Sequence, residues 1–213
     1  RRMRTLGVAL ALLTASLAAP LVAHPHIFVA TGLKLVRAQS GMVEGVEVTW
    51  RYDELYSLLV LEDMGLDHDF DGKLTPSEQQ QLDGFDLNWV EGFEGDLYAQ
   101  TANGKLPLGP PESLGTGLEK GEIVSRHYRA LAPPAQTFSL KAFDPTYYTA
   151  YDLGLGVDLP KGCDAKVIKA DVSAAAQTVL DLMGDAVNDP EADYPEVGEA
   201  FSDEIVIQCA PPS

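Results

Sequence analysis

The chain has 213 residues, 46% of them apolar and 22% charged, with 15 basic against 32 acidic side chains and a net charge of −17. That balance argues against nucleic acid or anionic lipid as a partner and favours cations. The apolar share is enough for a core, and the length suits one domain with an insertion.

Residues 1–23 read as a secretory signal peptide. Arg1, Arg2 and Arg4 make a basic start, residues 6–17 are rich in Ala and Leu, and Ala23 is a small residue suited to cleavage. The apolar run is shorter than the about 20 residues that a membrane span needs. Removing three arginines and no acid takes the net charge to −17 − 3 = −20. The product, residues 24–213, is expected to be exported to the periplasm as a single mature domain.

That domain would begin His24-Pro25-His26. Two imidazoles two residues apart share one face of an extended chain, and a new α-amine would lie beside them. Such nitrogens suit zinc, nickel, cobalt or copper. His127, in an expected strand, is the remote candidate for a third nitrogen, and Asp144 could add a carboxylate. His68 is the fourth histidine.

Residues 27–39 and 42–52 read as two strands joined at Ser40-Gly41, with alternation clearest in Val46-Glu47-Val48-Thr49-Trp50. Residues 53–64 read as a helix. Two residues later, the twelve from Asp67 to Glu78 match an EF-hand calcium loop at every required position. Asp67, Asp69 and Asp71 stand at positions one, three and five, and Gly72 at the sharp turn. Lys73 offers its carbonyl at position seven, Thr75 acts at position nine, and Glu78 closes the site at position twelve. Leu82, Phe85, Trp89 and Phe93 then recur at helical spacing. A helix–loop–helix insertion over about residues 53–94 is therefore expected, with calcium stapling it.

Further strands are expected at 96–101, 123–131, 137–143, 147–155, 165–172 and 204–209, with a turn at Asn103-Gly104 and loop over 106–117. Pro133-Pro134 should split two of them. Residues 173–183 read as a helix with Ser173 as its N-cap, and 188–195 as an acidic loop. Cys163 and Cys209, the only cysteines, suggest one disulfide in an oxidising compartment. The fold class expected is α+β: a mainly antiparallel β-sandwich-like domain with an inserted EF-hand-like helix–loop–helix and one late helix.

No nucleophile elbow, phosphate loop or dinucleotide fingerprint occurs, so an enzyme is not expected. The triplet His24-Pro25-His26 past the leader, then Trp50-Arg51-Tyr52-Asp53-Glu54, Leu61-Glu62-Asp63, the acidic loop and Phe143-Asp144-Pro145-Thr146-Tyr147-Tyr148 together resemble a bacterial periplasmic family of unknown function. Its members are commonly labelled the periplasmic component of an uncharacterised ABC-type transport system. The resemblance implies an accessory protein found near nickel, cobalt or zinc transport proteins, with an inner-membrane metal transporter as partner. The competing expectation is an adaptor that binds another protein and uses calcium only for stability.

Overall fold

Alternating apolar residues build two five-stranded sheets in the computed structural model, which describes residues 24–188 and 193–211. The signal peptide expected at 1–23 and part of the acidic stretch 188–195 lie outside the described residues. In chain order the elements are β1 (Ile27–Arg37), β2 (Val43–Tyr52), α1 (Glu54–Met64), α2 (Pro76–Leu82), β3 (Leu97–Thr101), β4 (Gly104–Leu106) and β5 (Glu112–Glu119). There follow β6 (Glu122–Ala135), β7 (Thr137–Ala142), β8 (Thr149–Asp158), β9 (Cys163–Ile168), α3 (Val172–Met183) and β10 (Glu204–Cys209).

The first sheet runs β5-β6-β2-β1-β8 and the second β4-β3-β7-β10-β9. Every pairing is antiparallel except β1 with β8, which is parallel. One cluster of buried side chains joins the sheets: Val29, Leu33, Val46, Val48 and Trp50 from the first, Leu97, Phe138, Leu140, Ile205 and Ile207 from the second. The period of two along each strand puts these residues on one face, and burying that face holds the layers together. The expected two-sheet, mostly antiparallel character is present. Among the described residues no helix is long and apolar enough to cross a membrane.

The helical insertion differs from expectation. α1 forms as read, capped by Asp53, whose carboxylate accepts the Tyr56 N–H at 2.9 Å and the Phe28 N–H at 2.8 Å. α2 stops at Leu82, after seven residues. Asp83 is extended and Gly84 takes φ +72°, so the chain turns away, and Phe85, Trp89 and Phe93 lie outside any helix. Phe85 and Trp89 still pack on the core. Their spacing therefore reflects burial of a turning segment, and the long exiting helix of a full helix–loop–helix is not formed.

Three smaller expectations are also corrected. Residues 112–117, read as loop, belong to β5, which runs along β6 with an irregularity at Gly115, where φ is +105°. Pro133 and Pro134 do not split a strand. They fall where β6 bulges between the Ala130–Gly45 and Ala135–Val43 pairs, so no ladder N–H is needed from them. The cap of α3 is Asp171, which accepts the Ala174 N–H at 3.0 Å, and not Ser173.

Cys163 and Cys209 face each other across β9 and β10 and form the expected disulfide, with Cα atoms 4.0 Å apart. It ties the edge strand of the second sheet to its neighbour.

Candidate metal sites

The acidic turn is built by the end of α1. Gly65, at φ +67°, donates its N–H back to Glu62 and Leu61. The chain then turns through positive φ at Asp67, Phe70 and Gly72. Only the last of these is glycine, the residue that adopts such angles without steric cost.

The Asp67 carboxylate accepts the N–H groups of Asp71 at 3.1 Å and Gly72 at 3.2 Å. These bonds wrap the turn around Asp67, which is 8% exposed. Asp67, Asp69 and Asp71 each bring a carboxylate oxygen within 4.8 Å of the others. Like charges at that separation repel, and a divalent cation between them would remove the repulsion.

The far side of the turn is a capping box. Thr75 Oγ1 accepts the Glu78 N–H, and the Glu78 carboxylate accepts the N–H groups of Thr75 at 2.8 Å and Asp67 at 3.1 Å. The bonds from Thr75 lower the Glu78 carboxyl below its ordinary value. Glu78 is thus ionised and points across the turn, with its oxygens held by backbone donors. The Lys73 ammonium lies 3.2 Å from Asp71. The six residues expected at the loop thus share one segment, and all but Asp67 line an open cavity of about 410 Å3.

The second cluster lies at the start of β1. The His26 N–H donates to the Tyr148 carbonyl at 2.8 Å, which docks the N-terminal residues beside the turn before β8. The His24 and His26 ring centres are 4.9 Å apart. Tyr148 lies 4.8 Å from His26, and Tyr194 lies 4.2 Å from His24.

Two polar atoms here are buried without hydrogen-bond partners among the described residues, His24 Nδ1 and the Tyr194 hydroxyl. Burial lowers the His24 pKa, His26 lowers it further, and the nearby Asp144 carboxylate opposes both. The net shift is downward, which favours the neutral ring, the form that ligates a metal. Asp144 accepts from the Thr146 N–H and hydroxyl and from the Thr149 N–H, which fixes its turn. Gly198 packs on that turn so closely that a Cβ would strike the Asp144 carbonyl.

His127 does not join this cluster. It pairs with Val48 on β2, which pairs with Leu33 on β1. Leu33 is seven residues beyond His26, so roughly 20 Å or more separates the two sites at about 3.3 Å per residue. The His127 ring is fully buried, 4.6 Å from Trp50 and 5.8 Å from Trp89, and neither nitrogen has a partner. Burial first, and the Arg129 charge second, pull its pKa down to about 3. It is not a third ligand for His24 and His26, because its strand position puts it in the core. His68 stays at the acidic turn.

Sequence reasoning assigned no role at this site to Tyr194 or Tyr148. Tyr151 is a core residue, its hydroxyl donating to Asp96 at 2.9 Å. Also missed was a polar row on the inner face of β6. Ser125 and Tyr52 donate to the half-buried Asp86 carboxylate, and Arg129 lies two places beyond His127. The signal was present, since Ser125, His127 and Arg129 occupy inward positions in a strand that is otherwise apolar on that face.

A family model described as "Protein of unknown function (DUF1007)" matches residues 9–209. The chain belongs to DUF1007. A relative is an uncharacterised protein of Haemophilus influenzae, 28% identical over 198 residues, covering 88% of this chain and 92% of that one. The match to DUF1007 spans both metal-site candidates and both cysteines. Among solved structures, AChBP from Bulinus truncatus aligns over 85% of this chain and 84% of its own, at 10% identity and a TM-score of 0.26. That overlap is too loose to carry any argument about this DUF1007 protein.

Proposed function

We propose that this protein is an exported periplasmic metal-binding accessory protein that holds calcium at residues 67–78. The observation that carries the reading is that Asp67, Asp69 and Asp71, at the loop positions where calcium ligation needs them, bring carboxylate oxygens within 4.8 Å of one another. Glu78 and the Lys73 carbonyl would complete the oxygen set. Glu78 would exchange its backbone donors for the ion, and Lys73 would leave Asp71. Export follows from the leader-like start and fits the Cys163–Cys209 disulfide.

The same reading places a transition metal, such as zinc, nickel, cobalt or copper, at His24 and His26. Asp144 is the nearby carboxylate. It is supported by His24 Nδ1, unpartnered among the described residues, and by the lowered pKa that favours the neutral form of that ring. The partner would be an inner-membrane metal transporter. Calorimetry on chelator-treated protein starting at His24 tests both halves. One equivalent of calcium should bind, and zinc should bind separately without displacing it. Absence of calcium binding in the millimolar range removes the first half, and zinc binding that survives loss of both histidines removes the second.

An adaptor role has one observation in its favour. Leu55, Leu58 and Leu59 form an exposed apolar face on α1. If calcium raises the melting temperature while the histidines bind no metal, the adaptor reading replaces the transport reading.

A further inference from the structure

A cavity of about 710 Å3 opens where β3 and β4, the 107–111 turn and residues 87–94 meet, away from both candidate metal sites. Its size falls in the range that encloses a small organic ligand. Trp89, Phe93 and Tyr98 line it with aromatic rings, and Pro107, Pro110 and Pro111 make another part of its wall. Proline fixes its own backbone angle, so this wall loses little freedom when a ligand enters.

The charge at the wall is unusual for this chain. Arg129, 3% exposed, borders the cavity. Its guanidinium donates to the carbonyl oxygens of Gly109, Glu94 and Leu108 and lies 4.6 Å from the Trp89 ring centre. Three bonds to carbonyls engage three of its five N–H groups. Carbonyl dipoles orient a cation without cancelling its charge.

Among the described residues Arg129 forms no ion pair. The Glu94 carboxylate, which could have paired with it, is held by Lys105. Asp96 faces elsewhere, towards the Tyr151 hydroxyl. Counting Arg129, Lys105 and Glu94, the wall carries one net positive charge in a molecule of net charge −17. Burial lowers the Arg129 pKa, the Glu94 charge opposes it, and the result is about 10, so the cation persists at neutral pH. A buried cation beside a cavity is stabilised by an anion entering that cavity.

We infer that this cavity binds a small amphipathic anion, an aromatic carboxylate or sulfonate, with its ring against Trp89, Phe93 and Tyr98 and its charged end towards Arg129 and Lys105. Nothing in this inference depends on metal binding elsewhere in the molecule.

Two fluorescent probes that share a ring system test it: 8-anilinonaphthalene-1-sulfonate and its uncharged counterpart N-phenyl-1-naphthylamine. The sulfonate should bind the folded protein at one equivalent, at least about tenfold more tightly than the neutral probe. Phe93→Ser should weaken both probes. Arg129→Met should abolish the preference for the anion. Because Arg129 is buried, Lys105→Glu serves as the second variant. It reverses an exposed charge and should cut sulfonate affinity about tenfold while leaving the neutral probe unchanged. Equal affinities for the two probes overturn the inference. So does a sulfonate affinity that Lys105→Glu leaves unaltered, or binding that ignores Phe93→Ser.

Discussion

The acidic turn and the histidine cluster gather ligand-like atoms by opposite routes. Asp67, Asp69 and Asp71 converge because they are two residues apart in a turn wound around one carboxylate. His24, Asp144, Tyr148 and Tyr194 come from three separate parts of the chain, joined by the parallel β1–β8 pairing and by the close packing of Gly198 on the Asp144 turn. A local site survives a loosened fold. A non-local site depends on every element that brings its parts together.

The sharpest way to separate the two is to break the disulfide. Cys163→Ala with Cys209→Ala opens a loop with a sequence separation of 46. For a loop of that size, chain-entropy arithmetic predicts a loss of about 4 kcal/mol, read by urea unfolding. Under conditions where the variant stays folded, calcium affinity at the acidic turn should be unchanged and zinc affinity at the histidines should fall. A parallel fall in both would erase the distinction.

Next in size is Glu78→Gln. Removing one charged ligand should weaken calcium binding by about two orders of magnitude in calorimetry. Glutamine still closes a capping box, so the calcium-free melting temperature should hold. If stability drops as much as affinity, Glu78 belongs to the helix cap alone.

His24→Ala and His26→Ala should each lower zinc affinity by about tenfold or more, since each removes a nitrogen from a small ligand set. His127→Leu should leave zinc affinity where it was. A loss in that variant would contradict the separation of the two sites.

The smallest effect is one of pH. His127 has a folded-state pKa of about 3 against an ordinary 6.5, so the unfolded chain binds the extra proton first. Its contribution to stability is full above 6.5 and is lost as pH falls towards 3. Asp96 acts with the opposite sign. Burial raises its carboxyl from 3.8 to about 7, so its contribution is full below 3.8 and is lost as pH rises through 7. Urea midpoints measured from pH 4 to 8 should therefore rise less steeply with pH in His127→Leu. They should rise more steeply in Asp96→Asn. Parallel curves for all three proteins would mean that neither group is titrating as its burial dictates.

Much of this was legible along the chain. Strands β1, β2, β3 and β10 appear within two residues of where alternation put them, as do the Asp53-capped α1 and the turn at Asn103-Gly104. The exiting helix failed because Leu82, Phe85, Trp89 and Phe93 are apolar for a reason that periodicity does not distinguish. A turning segment pressed on a core buries the same residue types as one face of a helix, and Gly84 decides between them. The strand through Pro133 and Pro134 was hidden because a bulge relieves the ladder of the donors that proline lacks.

By itself the amino-acid order determined what neighbours in sequence can decide. That includes the strand faces, the wrapped acidic turn, and the pairing of the only two cysteines, for which no other partner existed. Only the tertiary structure decided which histidines meet. His26 and His127 lie 101 positions apart in the chain (127 − 26), and nothing local in either says that one docks beside Tyr148 while the other is enclosed between Trp50 and Trp89. That outcome depends on sheet order, and sheet order is set by burying all the apolar faces at once.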